Sequence, residues 1–176
     1  MPVLEPLHAD VAEPTNLVNA IRKRRGGRLL KLDRMLLHSP AFAEGWNSHL
    51  AKVRLELELD GQLRELAICV VAVMNQADYE LEQHLPVYQS LGGSDEKCAA
   101  LLDLKSRDTT PAVFSPVEAD VVDIARQMTV RVEVQTELKA RLLTELGPQK
   151  YVELIGVIAT YNMVSRFLVA LDLHAE

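Results

Sequence analysis

Between Arg64 and His84 the chain reads RELAICVVAVMNQADYELEQH, and no other stretch constrains the fold as much. After Glu65 no charged side chain occurs until Asp78. Leu63 to Met74 is apolar on nearly all sides, which predicts a centrally buried helix. Its β-branched residues Ile68, Val70, Val71 and Val73 also suit a strand, but the length of the run and the lack of a hairpin partner argue for helix. Glu80 and His84 are four residues apart, so on a helix they share one face. Glu65 opens the apolar run, and its carboxylate is expected to be half buried. A buried carboxylate beside an imidazole is raw material for proton transfer, because burial and a charged neighbour both move pKa values. The plain alternative is that Glu80 and His84 form an ordinary surface pair.

The rest of the chain supports the same class of fold. Pro2, Pro6 and Pro14 predict an irregular arm over residues 1–15, which either frays or packs on a neighbouring subunit. Residues 16–176 then read as a single helical domain. A first helix is capped by Thr15 or Asn16 and stops at Gly26-Gly27. Leu29, Leu32 and Leu36 recur at helical spacing, and Ser39-Pro40 fits a cap followed by proline in the first turn. Phe42, Trp46, Leu50, Val53 and Leu57 form one stripe of a helix ending near Asp60-Gly61. Asn75 to Leu91 forms a further helical piece, with Pro86 weakening its last turn. Ser115-Pro116-Val117-Glu118 carries the signature of a capping box. Helices over Val132 to Leu146 and Gln149 to Leu171 are separated by Gly147-Pro148. Strand content is expected to be near zero.

A length of 176 residues suits one domain with a sizeable core, and the net charge of −6 offers no footprint for nucleic acid. The basic cluster Arg22, Lys23, Arg24, Arg25 and Arg28 reads as a solvated helix C-terminus favoured by the dipole. Cys69 and Cys98 lack metal-type spacing; Cys69 lies inside the apolar run, and a structural disulfide is not expected. The chain therefore reads as reduced and cytoplasmic. The first residues lack the basic and apolar regions of a signal peptide, and no apolar run reaches the roughly 18 residues of a membrane span.

Three segments together resemble the carboxymuconolactone decarboxylase superfamily, which includes the alkylhydroperoxidase D-type enzymes. The peroxidase branch has a glutamate, eleven residues, Cys-x-x-Cys, three residues and a histidine. Here Glu65 takes the glutamate position and His84 the histidine position without a gap, while Ala77 and Glu80 stand where the cysteines would be. Upstream, RRGGRLLKLDRMLLHSPAFAEGWNSHL resembles the lead-in of decarboxylase-like members, and ATYNMVSRFLVAL resembles their closing helix.

The resemblance implies an all-α, alkylhydroperoxidase D-like helical bundle, a homo-oligomer (dimer, trimer or hexamer) and a small-molecule substrate. It implies no cofactor and no metal, nucleic-acid or membrane partner. It gives Glu65 and His84 acid–base roles, and Glu80 could orient His84 by accepting its ring proton. Glu65, Glu80 and His84 are the candidate catalytic residues, with Trp46, Asn47 and Tyr79 as candidate pocket residues. A tryptophan such as Trp46 is more often core than pocket, and Asn47 serves equally as a cap or surface residue. Two glutamates and a histidine could also hold a divalent ion. The implied activity is Glu/His proton transfer on a small organic acid or lactone. The alternatives are a peroxiredoxin-type antioxidant enzyme and a non-catalytic, ligand-binding helical oligomer.

Overall fold

The computed structural model describes residues 4–173, and among the described residues every regular element is helical. The elements are α1 (Thr15–Arg24), α2 (Lys31–Leu36), α3 (Pro40–Leu55), α4 (Gly61–Asn75), α5 (Asp78–Ser90), α6 (Asp95–Leu102), a 3-10 turn (Leu104–Ser106), α7 (Pro116–Val130) and α8 (Thr136–Ala170). They fall into two compact units, residues 4–57 with 171–173 and residues 58–170.

In the first unit residues 4–14 of the expected arm are not helical, as Pro6 and Pro14 predict, while Pro2 lies outside the described residues. Around Leu7 and Val11 the arm is held by its own chain. The Leu7 amide donates to the Arg34 carbonyl at 3.4 Å, and Arg34 Nη1 returns a bond to the Leu7 carbonyl at 3.1 Å. Arg22 Nη2 donates to the Val11 carbonyl at 3.1 Å. The residue capping α1 is Pro14, not Thr15 or Asn16; Thr15 is already helical, and its amide and hydroxyl donate to the Glu13 carboxylate.

The basic cluster after α1 is not simply solvated. Asp33, 1% exposed at its side chain, accepts Arg24 at 3.4 Å and Arg25 at 3.1 Å, and it also takes the Leu30 amide at 2.9 Å. One buried carboxylate thus ties the end of α1 to the start of α2. On α3 the stripe Trp46, Leu50 and Val53 is buried, whereas Phe42 is half exposed. The helix ends at Leu55, short of the Asp60-Gly61 step where its end was expected; Asp60 instead caps the next helix.

In the second unit α4 is the central helix. The Asp60 carboxylate accepts the amides of Gln62 and Leu63 at 2.9 and 3.1 Å. From Leu66 through Ala72 every residue is fully buried, and α4 packs against α5, α7 and α8. The apolar surface from Leu66 through Ala72 is therefore covered within this chain. Gln76 ends the helix in the left-handed region (φ 56), with the Ala77 amide bonded back to the Ala72 carbonyl at 2.9 Å. The turn sends α5 back along α4.

At the far end of α5, Gly93 passes over the ring of buried Tyr88. An added Cβ would lie 2.4 Å from that ring, so no larger residue fits without displacing it. Glu118 accepts the Ser115 amide at 2.8 Å, as the capping signature predicts. It also binds Lys97 Nζ at 2.7 Å, which links α6 to α7.

Gly147 (φ 76, ψ 167) breaks α8 into residues 136–146 and 148–170. The first part starts at Thr136 rather than Val132, which sits at φ 68, outside helical space. By length and composition alone α8 is long and apolar enough to cross a membrane. However, Leu154, Val157, Ile158, Tyr161, Val164 and Leu168 are buried, and the helix packs on α4 and α7 as a core helix does.

If α4 is the core element, Ile68→Ala should cost about 2–5 kcal/mol, while exposed Leu102→Ala should stay within about 0.5 kcal/mol. Urea denaturation of both variants checks this. Equal effects would contradict the assignment.

Candidate active site

The hairpin of α4 and α5 explains how Glu65 meets His84. Glu65 lies eleven residues before Gln76 and His84 eight after it. At 1.5 Å per residue both sit about 12–16 Å from the turn on antiparallel helices. Glu65 Oε2 lies 2.6 Å from His84 Nδ1, and both residues are almost fully buried (3% and 4% exposed). Arg64 Nε approaches the other carboxylate oxygen at 3.3 Å.

Glu80, 2% exposed, sits one turn before His84 on α5. Its Oε1 lies 2.9 Å from Ser165 Oγ on α8. Tyr161, one turn before Ser165, sets its ring edge-on to the His84 ring with centroids 5.0 Å apart. Two rungs therefore join α5 and α8, His84 to Tyr161 and Glu80 to Ser165. The bond at His84 Nδ1 goes to Glu65, where the sequence offers Glu80 for orienting the ring.

Burial pushes the Glu65 carboxyl up, but the His84 hydrogen bond, the His84 charge and Arg64 outweigh it. The net result holds Glu65 below the ordinary carboxylate value. The Cys69 thiol is pushed far up by burial, then by Glu65, Cys98 and Glu80. Both carboxylates thus lie within electrostatic reach of Cys69, and that thiol carries almost no thiolate at neutral pH. Both cysteines are free and buried.

Of the candidate pocket residues, Tyr79 is buried on α5 in the same unit as the cluster. Trp46 and Asn47 belong to the first unit. Trp46 is buried and tilted against the Phe42 ring at 5.7 Å, and Asn47 Oδ1 accepts Arg24 Nε at 2.5 Å. Among the described residues no three His, Cys, Asp or Glu side chains are placed to hold a metal ion.

Ser165 and Arg64 are the site neighbours that sequence reasoning did not single out. The one available signal for Ser165 was a small polar residue on the apolar face of the last helix, four residues after Tyr161.

The profile of the carboxymuconolactone decarboxylase family matches residues 40–127, half of the chain, and this span contains Glu65, Glu80 and His84. The chain belongs to the carboxymuconolactone decarboxylase family. Its fold is similar to that of an uncharacterized peroxidase-related protein from Silicibacter sp. TM1040, with TM-score 0.75, 16% identity, and 98% of this chain and 92% of that one covered. It is also similar to a cysteine-to-alanine variant of the debrominase Bmp8 solved with 2,3,4-tribromopyrrole. There the TM-score is 0.78 at 14% identity, covering 99% of this chain and 91% of that one. At such identities the likeness is one of fold. No curated protein matches the sequence. By the resemblance noted in the sequence, Glu80 stands where the peroxidase branch has a thiol, and here it contacts Ser165.

Because folding lowers the pKa of Glu65, the stability it contributes is fully present above its unfolded value, about 4.3. That stability is lost as pH falls through the lowered folded value. Glu65→Gln should therefore flatten the acid limb of a plot of stability against pH. His84→Ala should cost about 3–5 kcal/mol at neutral pH, the usual penalty for breaking a buried pair. Denaturant titrations across the acid range check both; an acid limb unchanged in Glu65→Gln would contradict the assignment.

Proposed function

We propose that this chain is a cofactor-independent lyase of the decarboxylase type, acting on a small organic acid or lactone by proton transfer at Glu65, Glu80 and His84. The observation that carries the reading is the buried hydrogen bond between Glu65 and His84. With Nδ1–H donating to the carboxylate, the ring tautomer is set and Nε2 becomes the proton-exchanging atom. Glu65 also stabilises the imidazolium form, which is the form that can give a proton.

The chemistry follows from this arrangement. A β-keto or vinylogous acid breaks its carbon–carbon bond to release carbon dioxide, and the bonding electron pair stays on the substrate as an enolate. A proton delivered from the site converts the enolate to product, and water restores the site's proton. A thiol peroxidase needs an accessible thiolate and a resolving thiol. Ala77 and Glu80 occupy those positions, and Cys69 is buried with its pKa raised.

The test is carbon dioxide release from γ-carboxymuconolactone and from simple β-keto acids. His84→Ala and Glu65→Gln should each lower turnover roughly 10²–10⁴-fold, while replacing Cys69 and Cys98 by alanine should change it little. A thiol-free variant that is dead, beside a fully active His84→Ala, would overturn the reading.

A homo-oligomer is part of the same proposal. In the second unit an apolar surface groove is lined by Met128, Val132, Val134, Val152 and Ile155, with Val132 and Val152 largely exposed. An apolar face of this kind suits contact with another copy. Light scattering should give at least twice 19.6 kDa; the monomer mass alone would contradict it.

A further inference from the structure

Arg64 is the member of the site cluster that meets solvent. Its side chain is 17% exposed, against 5% for Glu65 and 5% for His84, and Glu80, Tyr161 and Ser165 are buried as well. Of these groups the guanidinium is the one most open to an incoming molecule. The way it is held leaves an edge for a ligand. Nε meets Glu65 Oε1 at 3.3 Å, while Nη1 and Nη2 make no hydrogen bond among the described residues.

The surroundings of Arg64 favour a negative charge at that edge. Asp60, one turn earlier, spends its carboxylate on the Gln62 and Leu63 amides at 2.9 and 3.1 Å. The ion pair of Arg64 is with Glu65, whose other oxygen serves His84, so one carboxylate answers two cationic partners. Arg64 also lies near the start of α4, the positive end of the helix dipole, where a cation is disfavoured and an anion is welcome. Gly61 stands one turn back without a side chain. A Cβ there would lie 3.8 Å from Arg64 Nη2 and 3.4 Å from a Leu91 methyl, so the glycine leaves room beside the guanidinium.

From this arrangement we propose that Arg64 anchors the substrate, binding one of its carboxylates through Nη1 and Nη2 beside the Glu65–His84 pair. The inference rests on the acid–base reading of this cluster and names a substrate class for it: an organic anion that keeps a carboxylate through the reaction. The planar guanidinium fork matches the two oxygens of a carboxylate and binds them together. The carboxylate held there is not the one that is lost. A carboxyl group leaves as carbon dioxide only by passing its negative charge to the rest of the molecule. An ion pair with a guanidinium holds that charge in place and favours the ground state over the transition state. Arg64 therefore grips the carboxylate that survives in the product, and the bond that breaks lies toward His84.

Calorimetric titration of the full-length protein with succinate, a dicarboxylate without a β-keto group, and with its neutral diamide needs no turnover. The wild type should bind succinate and not the diamide. Arg64→Gln should weaken succinate binding roughly 10–100-fold, the usual contribution of a hydrogen bond to a charged group. Arg64→Lys should recover only part of that loss, because an ammonium keeps the charge without the fork. Phenylglyoxal labelling of the wild type, mapped by mass spectrometry, decides the point even if both variants fail to fold: succinate should protect Arg64, and the diamide should not. Equal binding of succinate and diamide, full affinity in Arg64→Gln, or labelling of Arg64 unaffected by succinate overturns the proposal. On any acid the protein turns over, Arg64→Gln should raise KM far more than it lowers kcat. Protection of Arg64 with no turnover of any acid or lactone would sink the lyase reading alone. Turnover without protection would sink this inference alone.

Discussion

The 2.6 Å contact between Glu65 and His84 governs the second unit because it decides where a negative charge can sit inside an otherwise apolar core. A carboxylate among Leu66, Ile68 and Val70 is expensive unless cations and donors reach it. Two do: His84, brought level by the α4–α5 turn, and Arg64 beside it in sequence. The turn at Gln76, the burial of α4 and the pairing of Glu65 with His84 are therefore linked. A longer connection between α4 and α5 would move His84 off the level of Glu65 and leave a buried charge without its main partner.

Glu80 sits in the same interior with a different set of neighbours. One of its carboxyl oxygens lies 2.9 Å from a serine hydroxyl on α8, and His84, one turn along the same helix, directs Nδ1 to Glu65. Two carboxyl groups of identical chemistry are thus given different electrostatic surroundings, the usual way a protein obtains an acid and a base from one residue type. Glu80 stands where the resemblance to the peroxidase branch would place a thiol. Both cysteines of this chain are buried, and the Cys69 thiol is held in its protonated form.

The helices were readable because their signals are local. Ser115 with Glu118, Gly147-Pro148 and the unbroken apolar run of α4 each act within a few residues of themselves, whereas Asp60, expected at the end of α3, caps α4. The spacing of Glu80 and His84 likewise showed a shared face. What could not be read was the choice of partner, because that is set by packing. Ser165 lies 85 positions from Glu80, and Glu65 lies 19 from His84. Arg24 and Arg25 looked solvated because Asp33 reaches them only after the chain reverses at Gly26-Gly27. Val132 was expected within a helix because its side chain fits the apolar pattern, yet its backbone stands at positive φ.

The central claim is that Glu65 holds the His84 ring as the Nδ1–H tautomer, or as the imidazolium, and never as the Nε2–H tautomer. Heteronuclear NMR of the imidazole ring nitrogens tests it directly, with His84 assigned by its absence from the His84→Ala spectrum. Nδ1 should be protonated throughout the neutral range, its proton shifted far downfield by the short bond to a carboxylate and returned toward ordinary values in Glu65→Gln. An unprotonated Nδ1 at neutral pH, with the single ring proton resident on Nε2, would contradict it.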